Sequence, residues 1–151
     1  METRNFDPLQ LKHQLCFPLY ACSRETIKLY KPYLDELDLT YTQYITMLTL
    51  WEERALTVKE LGERLYLDSG TLTPLLKKLE AKGLLNRKRS STDERNLIVS
   101  ITEAGEALRE KAAHVPTQMV KYVNLTCEES RTLYNLLYKM LEQTKEEDWN
   151  G

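Results

Sequence analysis

The chain has 151 residues, 42% of them apolar and 29% charged, and carries a net charge of −2. That length holds one domain with a real core. The slightly acidic balance argues against a chain that clings to nucleic acid or to an anionic membrane through its overall charge. No apolar run approaches the roughly 18–20 residues of a membrane span, and the first residues, METRNFDPLQ, have no signal-peptide pattern. Three cysteines are an odd number without metal-ligand spacing, so free thiols in a reducing, cytoplasmic compartment are expected.

With only five glycines and five prolines, the composition favours helices. Residues 9–36 read as a long helix, with Leu11, Leu15, Leu19 and Cys22 and then Ile27, Tyr30 and Leu34 at helical spacing. Pro18 and Pro32 are expected to kink or break it. A second helix, about 42–53, carries Tyr44, Ile45, Leu48 and Trp51 as its apolar stripe. Thr57 with Glu60 three residues on is a capping box, opening a short helix of about 58–65. After the turn YLDS, Asp68 or Ser69 caps a helix of about 70–82, whose Leu72, Leu75, Leu76 and Leu79 face inward. Gly83 stands where helices end in a left-handed residue. Leu84–Arg89 and Asn96–Thr102 have strand character, joined by the polar loop SSTDE. A helix of about 103–120, interrupted by Pro116, and one of about 127–146, with Leu133, Leu136, Leu137, Met140 and Leu141 on one face, complete the chain.

Two helices joined by a tight turn and followed by a two-stranded hairpin make a winged helix-turn-helix. The expected fold is mainly α with a small β-hairpin wing, one domain over 1–151, its winged lobe at about 54–102. Charge supports this order. Seven basic residues stand against three acidic ones between Lys77 and Arg95, a local +4 that leaves −6 for the rest. A concentrated basic stretch is the footprint of a phosphate binder. The second helix of the pair is expected in the major groove, with Ser69, Thr71 and Thr73 at base edges and phosphates, and Lys77 and Lys78 on phosphate oxygens. The hairpin, with Arg87, Lys88, Arg89 and Arg95, reaches an adjacent minor groove. Asp93 is expected to orient Arg95 through a salt bridge. A helical bundle with a solvated basic face would give the same charge run, but not the same order of cap, helix, turn, helix, glycine and hairpin.

The stretch LTVKELGERLYLDSGTLTPLLKKLEAKGLLNRKRSSTDERNLIVSITEAGEAL resembles the winged-helix core of the MarR family of bacterial transcription regulators, with DER and ITEAG at the wing and the helix after it. LYLDSGTLTPLLKKLE, together with QLCFPLYACSRETIKLYKPYLDELDLTYTQY upstream, is similar to the OhrR-like subgroup of organic-hydroperoxide and thiol-based redox sensors. The resemblance spans about 10 to 145. It implies a cytoplasmic homodimer, held by helices at about 9–36 and 103–146, that represses transcription from a palindromic operator and needs no cofactor.

Cys16 is the candidate sensor. Cys16 and Cys22 stand about 240° apart around a helix, so they neither bridge each other nor chelate one metal; Cys22 is read as core packing. Tyr20 shares the face of Cys16. Tyr30 has nearly the same angular position but lies about 21 Å further along. The resemblance implies that Tyr30 and Tyr41 of a partner subunit approach the Cys16 sulfur. Phenol hydroxyls there would stabilise a thiolate, the form that attacks peroxides. Leu15, Phe17, Leu19 and Tyr20 are expected to form an apolar pocket that favours organic hydroperoxides. Oxidation to a sulfenic acid, then condensation with a second thiol, would repack the interface and release DNA. Cys127, at the cap of the last helix, is the possible resolving thiol; a low-molecular-weight thiol is the alternative. Residue by residue, Cys16 also reads as a buried structural cysteine. Two further functions stay open: a repressor released by a small phenolic or drug-like ligand, and a thiol peroxidase, which leaves the basic hairpin unexplained. His13 and His114 stand in no ligand-spaced cluster, so no metal is expected.

Overall fold

The computed structural model describes residues 7–147. A single 3-10 turn, Leu11–His13, precedes α1 (Cys16–Asp35). The expected helix thus starts seven residues late, and Pro18 explains why. As the third helical residue it gives up an N–H that has no partner in a first turn anyway, while its ring blocks extension back through the carbonyl of Gln14. Pro32 does not end α1, which runs on to Asp35.

Thr40 caps α2 (Tyr41–Glu53) in a capping box with Gln43. β1 (Ala55–Thr57) follows, a strand not anticipated from the sequence. Thr57 both ends β1 and caps α3 (Val58–Leu65) with Glu60, as expected. Tyr66, left-handed at φ 54°, turns the chain, and Asp68 caps α4 (Ser69–Ala81). Gly83 has φ 74°, the conformation expected of it. β2 (Leu85–Arg89) and β3 (Leu97–Ile101) form the hairpin, and β1 adds to β3, giving an antiparallel sheet of order β1-β3-β2. Leu85 pairs with Ile101 and Arg89 with Leu97, while Leu56 pairs with Val99.

The helix expected at 103–120 is two: α5 (Glu103–Ala112) and α6 (His114–Val120). The break falls at Ala113 because Pro116 is again a third helical residue, its ring set against the carbonyl of Ala112. α7 (Cys127–Glu147) belongs to a second compact unit that begins at Gln118. Thr126 and Glu129 cap it reciprocally: the Thr126 N–H donates to Glu129 Oε2 at 2.8 Å and the Glu129 N–H to Thr126 Oγ1 at 3.2 Å.

The core of the first unit draws on every element after the middle of α1. Leu34, Met47, Leu50, Leu61, Leu72, Leu76, Leu79, Leu85 and Val99 are all buried. Two glycines allow close approach. A Cβ on Gly62 would lie 2.7 Å from the Leu67 carbonyl oxygen and 3.1 Å from Leu72 Cδ1, so α3 and α4 cross closely only without one. A Cβ on Gly105 would lie 2.1 Å from the Leu84 carbonyl oxygen. There the buried Trp51 indole donates to the Gly105 carbonyl at 2.8 Å, tying α2 to the first turn of α5.

Candidate DNA-binding surface and thiol site

Four buried leucines fix how α4 is turned, and so decide what it presents outward. Ser69, Thr71, Thr73, Lys77 and Lys78 are all exposed. Asp68 Oδ1 accepts the Thr71 backbone N–H at 2.8 Å, and Asp68 Oδ2 accepts the Thr71 hydroxyl at 3.2 Å. These bonds hold the Asp68 carboxyl below its ordinary range, the backbone bond contributing most. The Thr73 hydroxyl donates to the Ser69 carbonyl at 2.8 Å. Both threonines thus spend their donor protons within the helix and keep methyls and lone pairs for whatever docks on it.

In the wing, Lys88, Arg89 and Arg95 are exposed. Arg89 Nη1 donates to the Glu94 carbonyl at 2.8 Å. The Asp93–Arg95 pair expected from the sequence is present at 3.3 Å, and Asp93 Oδ1 also accepts the Arg95 N–H at 3.0 Å. Arg87 differs from its neighbours. Its side chain is 21% exposed and its Nε pairs with Glu80 Oε2, joining β2 to α4. Sequence reasoning grouped Arg87 with the free cations of the wing and missed Glu80, the acid seven residues before it. The signal was that Glu80 is the one acid among the cations from Lys77 to Arg89.

At the thiol, Cys16 is the first residue of α1 and is exposed. Tyr20, one turn on, is exposed too; its hydroxyl accepts from Arg24 Nη1 at 3.1 Å, with the guanidinium 5.5 Å from its ring centroid. Leu15, Phe17 and Leu19 are 75%, 43% and 40% exposed, so the expected apolar pocket is not closed within a single chain. Cys22 is exposed as well, and its reading as core packing is corrected: among α1 residues up to Lys28 only Ala21 is even half-buried. Cys127 is the first residue of α7 and exposed; Thr126, not the cysteine, makes the cap.

Tyr30 and Tyr41 do come together. Their rings meet edge-to-face with centroids 5.0 Å apart. A third ring, buried Tyr44, lies 5.8 Å from Tyr30 and 6.5 Å from Tyr41. Burial raises the pKa of all three; Tyr30 adds to the effect at Tyr41, and Tyr44 is pushed up to about 12. All three are therefore neutral hydroxyls near neutral pH, able to donate. Tyr44 was legible only as part of an apolar stripe, because its spacing fits core packing equally well. Since α1 is continuous from Cys16 through Tyr30, the phenols stand about 21 Å along it from their own chain's sulfur. Among the described residues, no three His, Cys, Asp or Glu side chains gather as metal ligands would.

A capped helix pair turned by a left-handed residue, with a three-stranded wing behind it, defines the class: a winged-helix DNA-binding protein. A model of the transcriptional regulators SarA/Rot matches residues 28–112. The organic hydroperoxide resistance transcriptional regulator of Bacillus subtilis is 52% identical over 137 residues, covering 91% of this chain and 93% of that one. The HTH-type transcriptional regulator SarZ of Staphylococcus aureus is 46% identical, over 84% and 86% of the two chains. The structure of reduced AbfR bound to DNA, from a protein of Staphylococcus epidermidis, is 35% identical with a TM-score of 0.75, over 89% and 94%. The chain belongs to the SarA/Rot family of transcriptional regulators, with the MarR-type fold and within the organic-hydroperoxide-regulator subgroup. It is a regulator and not an enzyme.

Proposed function

We propose that this protein is a homodimeric, cytoplasmic repressor that leaves a palindromic operator when an organic hydroperoxide oxidises Cys16. The observation that carries the reading is the pairing of an exposed thiol at the start of α1 with a cluster of neutral phenols that it cannot reach in its own chain. In a two-fold dimer with antiparallel first helices, Tyr30 and Tyr41 of one protomer donate to the Cys16 sulfur of the other. The exposed apolar side chains Leu15, Phe17 and Leu19 then close a pocket between protomers. Such a lining suits an organic peroxide better than hydrogen peroxide.

The thiolate attacks the outer peroxide oxygen, the O–O bond breaks, and an alcohol leaves once protonated. Cys16 becomes a sulfenic acid. A second thiol attacks its sulfur, a disulfide forms and water leaves. That thiol is Cys127 or a low-molecular-weight thiol, and non-reducing gels of oxidised wild type and Cys127→Ser separate the two: a cross-linked dimer that disappears in Cys127→Ser assigns the role to Cys127. The oxidised sulfur loses the phenol hydrogen bonds and the interface repacks. The two α4 helices must fit half-sites about 34–36 Å apart, so a shift of a few ångströms breaks register. A loss of about 3 kcal/mol lowers affinity more than a hundredfold.

Support for DNA as the ligand is the basic wing and α4, together with the relatives' descriptions as transcriptional regulators and the DNA-bound state of AbfR. The relative named for organic hydroperoxide resistance supports the signal. A mobility shift on a palindromic promoter fragment tests the reading. Cumene hydroperoxide releases wild type and leaves Cys16→Ser bound. Release of the serine variant would contradict the proposal and point to a non-covalent ligand instead.

A further inference from the structure

Pro74 is the sixth residue of α4 and is exposed. At 100° per residue it lies about 150° around the helix from the mean direction of Leu72, Leu75, Leu76 and Leu79. Ser69, Thr71 and Thr73 lie nearer the flanks, at about 70°, 90° and 110°. Pro74 therefore points outward more directly than any hydroxyl residue of the helix. Gly70, one turn earlier, has no side chain to cover the ring; a Cβ there would meet only Asp68 Oδ1, at 3.0 Å.

Nothing in the fold calls for this proline. It packs outside the core, and it removes the N–H that would bond the Gly70 carbonyl, weakening the helix. Its surroundings are polar and basic: Thr71 and Thr73 beside it, Lys77 and Lys78 a turn further on. A rigid apolar ring at the centre of a surface whose cations suit phosphates needs an apolar feature in the facing groove. In the major groove that feature is the C5-methyl of thymine.

We infer that Pro74 is a specificity-determining residue that packs against a thymine methyl in each operator half-site. The inference rests on the reading of α4 as the helix that enters the major groove. Where that holds, the ring's contact distinguishes thymine from cytosine at one position without any hydrogen bond.

The test uses duplexes that the full-length protein selects from a random-sequence pool. Each thymine is replaced in turn by deoxyuridine, which pairs identically but lacks the methyl. For wild type, replacement at one position is expected to weaken binding about fourfold per half-site, the effect of exposing one methyl. Pro74→Ala is expected to bind the thymine duplex that much more weakly and to ignore the replacement. Its thermal melting should match or exceed wild type, since alanine is the better helix former. If every replacement changes wild type and variant by the same factor, Pro74 has no such role. A pool that yields no bound duplex overturns the DNA reading itself, and the role of Pro74 with it.

Discussion

Tyr30 and Tyr41 are the phenols that the proposed function sets to work at the partner's sulfur, and burial only reinforces the protonated form they already hold near neutral pH. Half-buried beside Tyr44, they stay protonated, which is the state in which a phenol can donate to a sulfur anion. A hydrogen bond to a charged group contributes about 1.5–3 kcal/mol. Tyr30→Phe and Tyr41→Phe are each expected to slow oxidation of Cys16 by cumene hydroperoxide about tenfold or more in stopped-flow measurements, with DNA binding of the reduced protein unchanged. Tyr44 has its own signature. Its folded pKa is raised above the ordinary 10.0 to about 12, so its contribution to stability is intact below pH 10 and is lost as pH rises through about 12. Urea midpoints measured from pH 8 to 12 should fall less steeply for Tyr44→Phe than for wild type. In the sequence, Cys16, Tyr30 and Tyr41 were singled out through the family resemblance, and the structure adds that the rings of Tyr30 and Tyr41 meet. Tyr44 was not, because a buried aromatic at helical spacing looks the same whether it packs a core or backs a site. Cys22 misled for the converse reason: an apolar stripe on α1 does not say whether the chain itself covers it.

Among the elements, α4 and the wing act together, and not all their cations do the same thing. Arg89 and Arg95 are exposed, held by the Glu94 carbonyl and Asp93 with donors to spare for phosphates, while Arg87 is half-buried and bound to Glu80. Arg89→Ala and Arg95→Ala are each expected to lower the slope of log affinity against log salt by about 0.9, and Arg87→Ala to leave it unchanged. Trp51→Phe removes the indole donor to the Gly105 carbonyl, which keeps its own bond within α5, so thermal or urea denaturation should show a loss of about 0.5–1.5 kcal/mol. Elements with strong local signals were legible: the capping residues Thr57 and Asp68, the left-handed Gly83, and the β-branched run of β3. β1 was not, because three residues are too few to show a period and its existence depends on pairing with β3, where Ala55 meets Ser100 and Thr57 meets Ile98, far along the chain. Pro18 and Pro116 were read for the right effect at the wrong place, while Pro32, also expected to interrupt α1, lies inside it without ending it. Pro18 and Pro116 set where helices begin, three residues in, and do not cut helices already under way.

At the scale of the whole molecule, the account turns on two copies. α1 exposes Leu15, Phe17 and Leu19, and α7, taken by itself, exposes Leu133, Leu136 and Met140. A dimer that covers them would also bring each thiol to the other chain's phenols. Dimerisation was implied by family resemblance and by no local pattern, since a helix face carries no record of its partner. A mixed dimer tests this directly: one protomer carries Cys16→Ser with its tyrosines intact, the other carries Tyr30→Phe and Tyr41→Phe with its cysteine intact. If the phenols serve across the interface, the single remaining cysteine is oxidised by cumene hydroperoxide at the wild-type rate. If it reacts as slowly as in the homodimer of the double phenylalanine variant, each chain activates its own sulfur and the account is wrong.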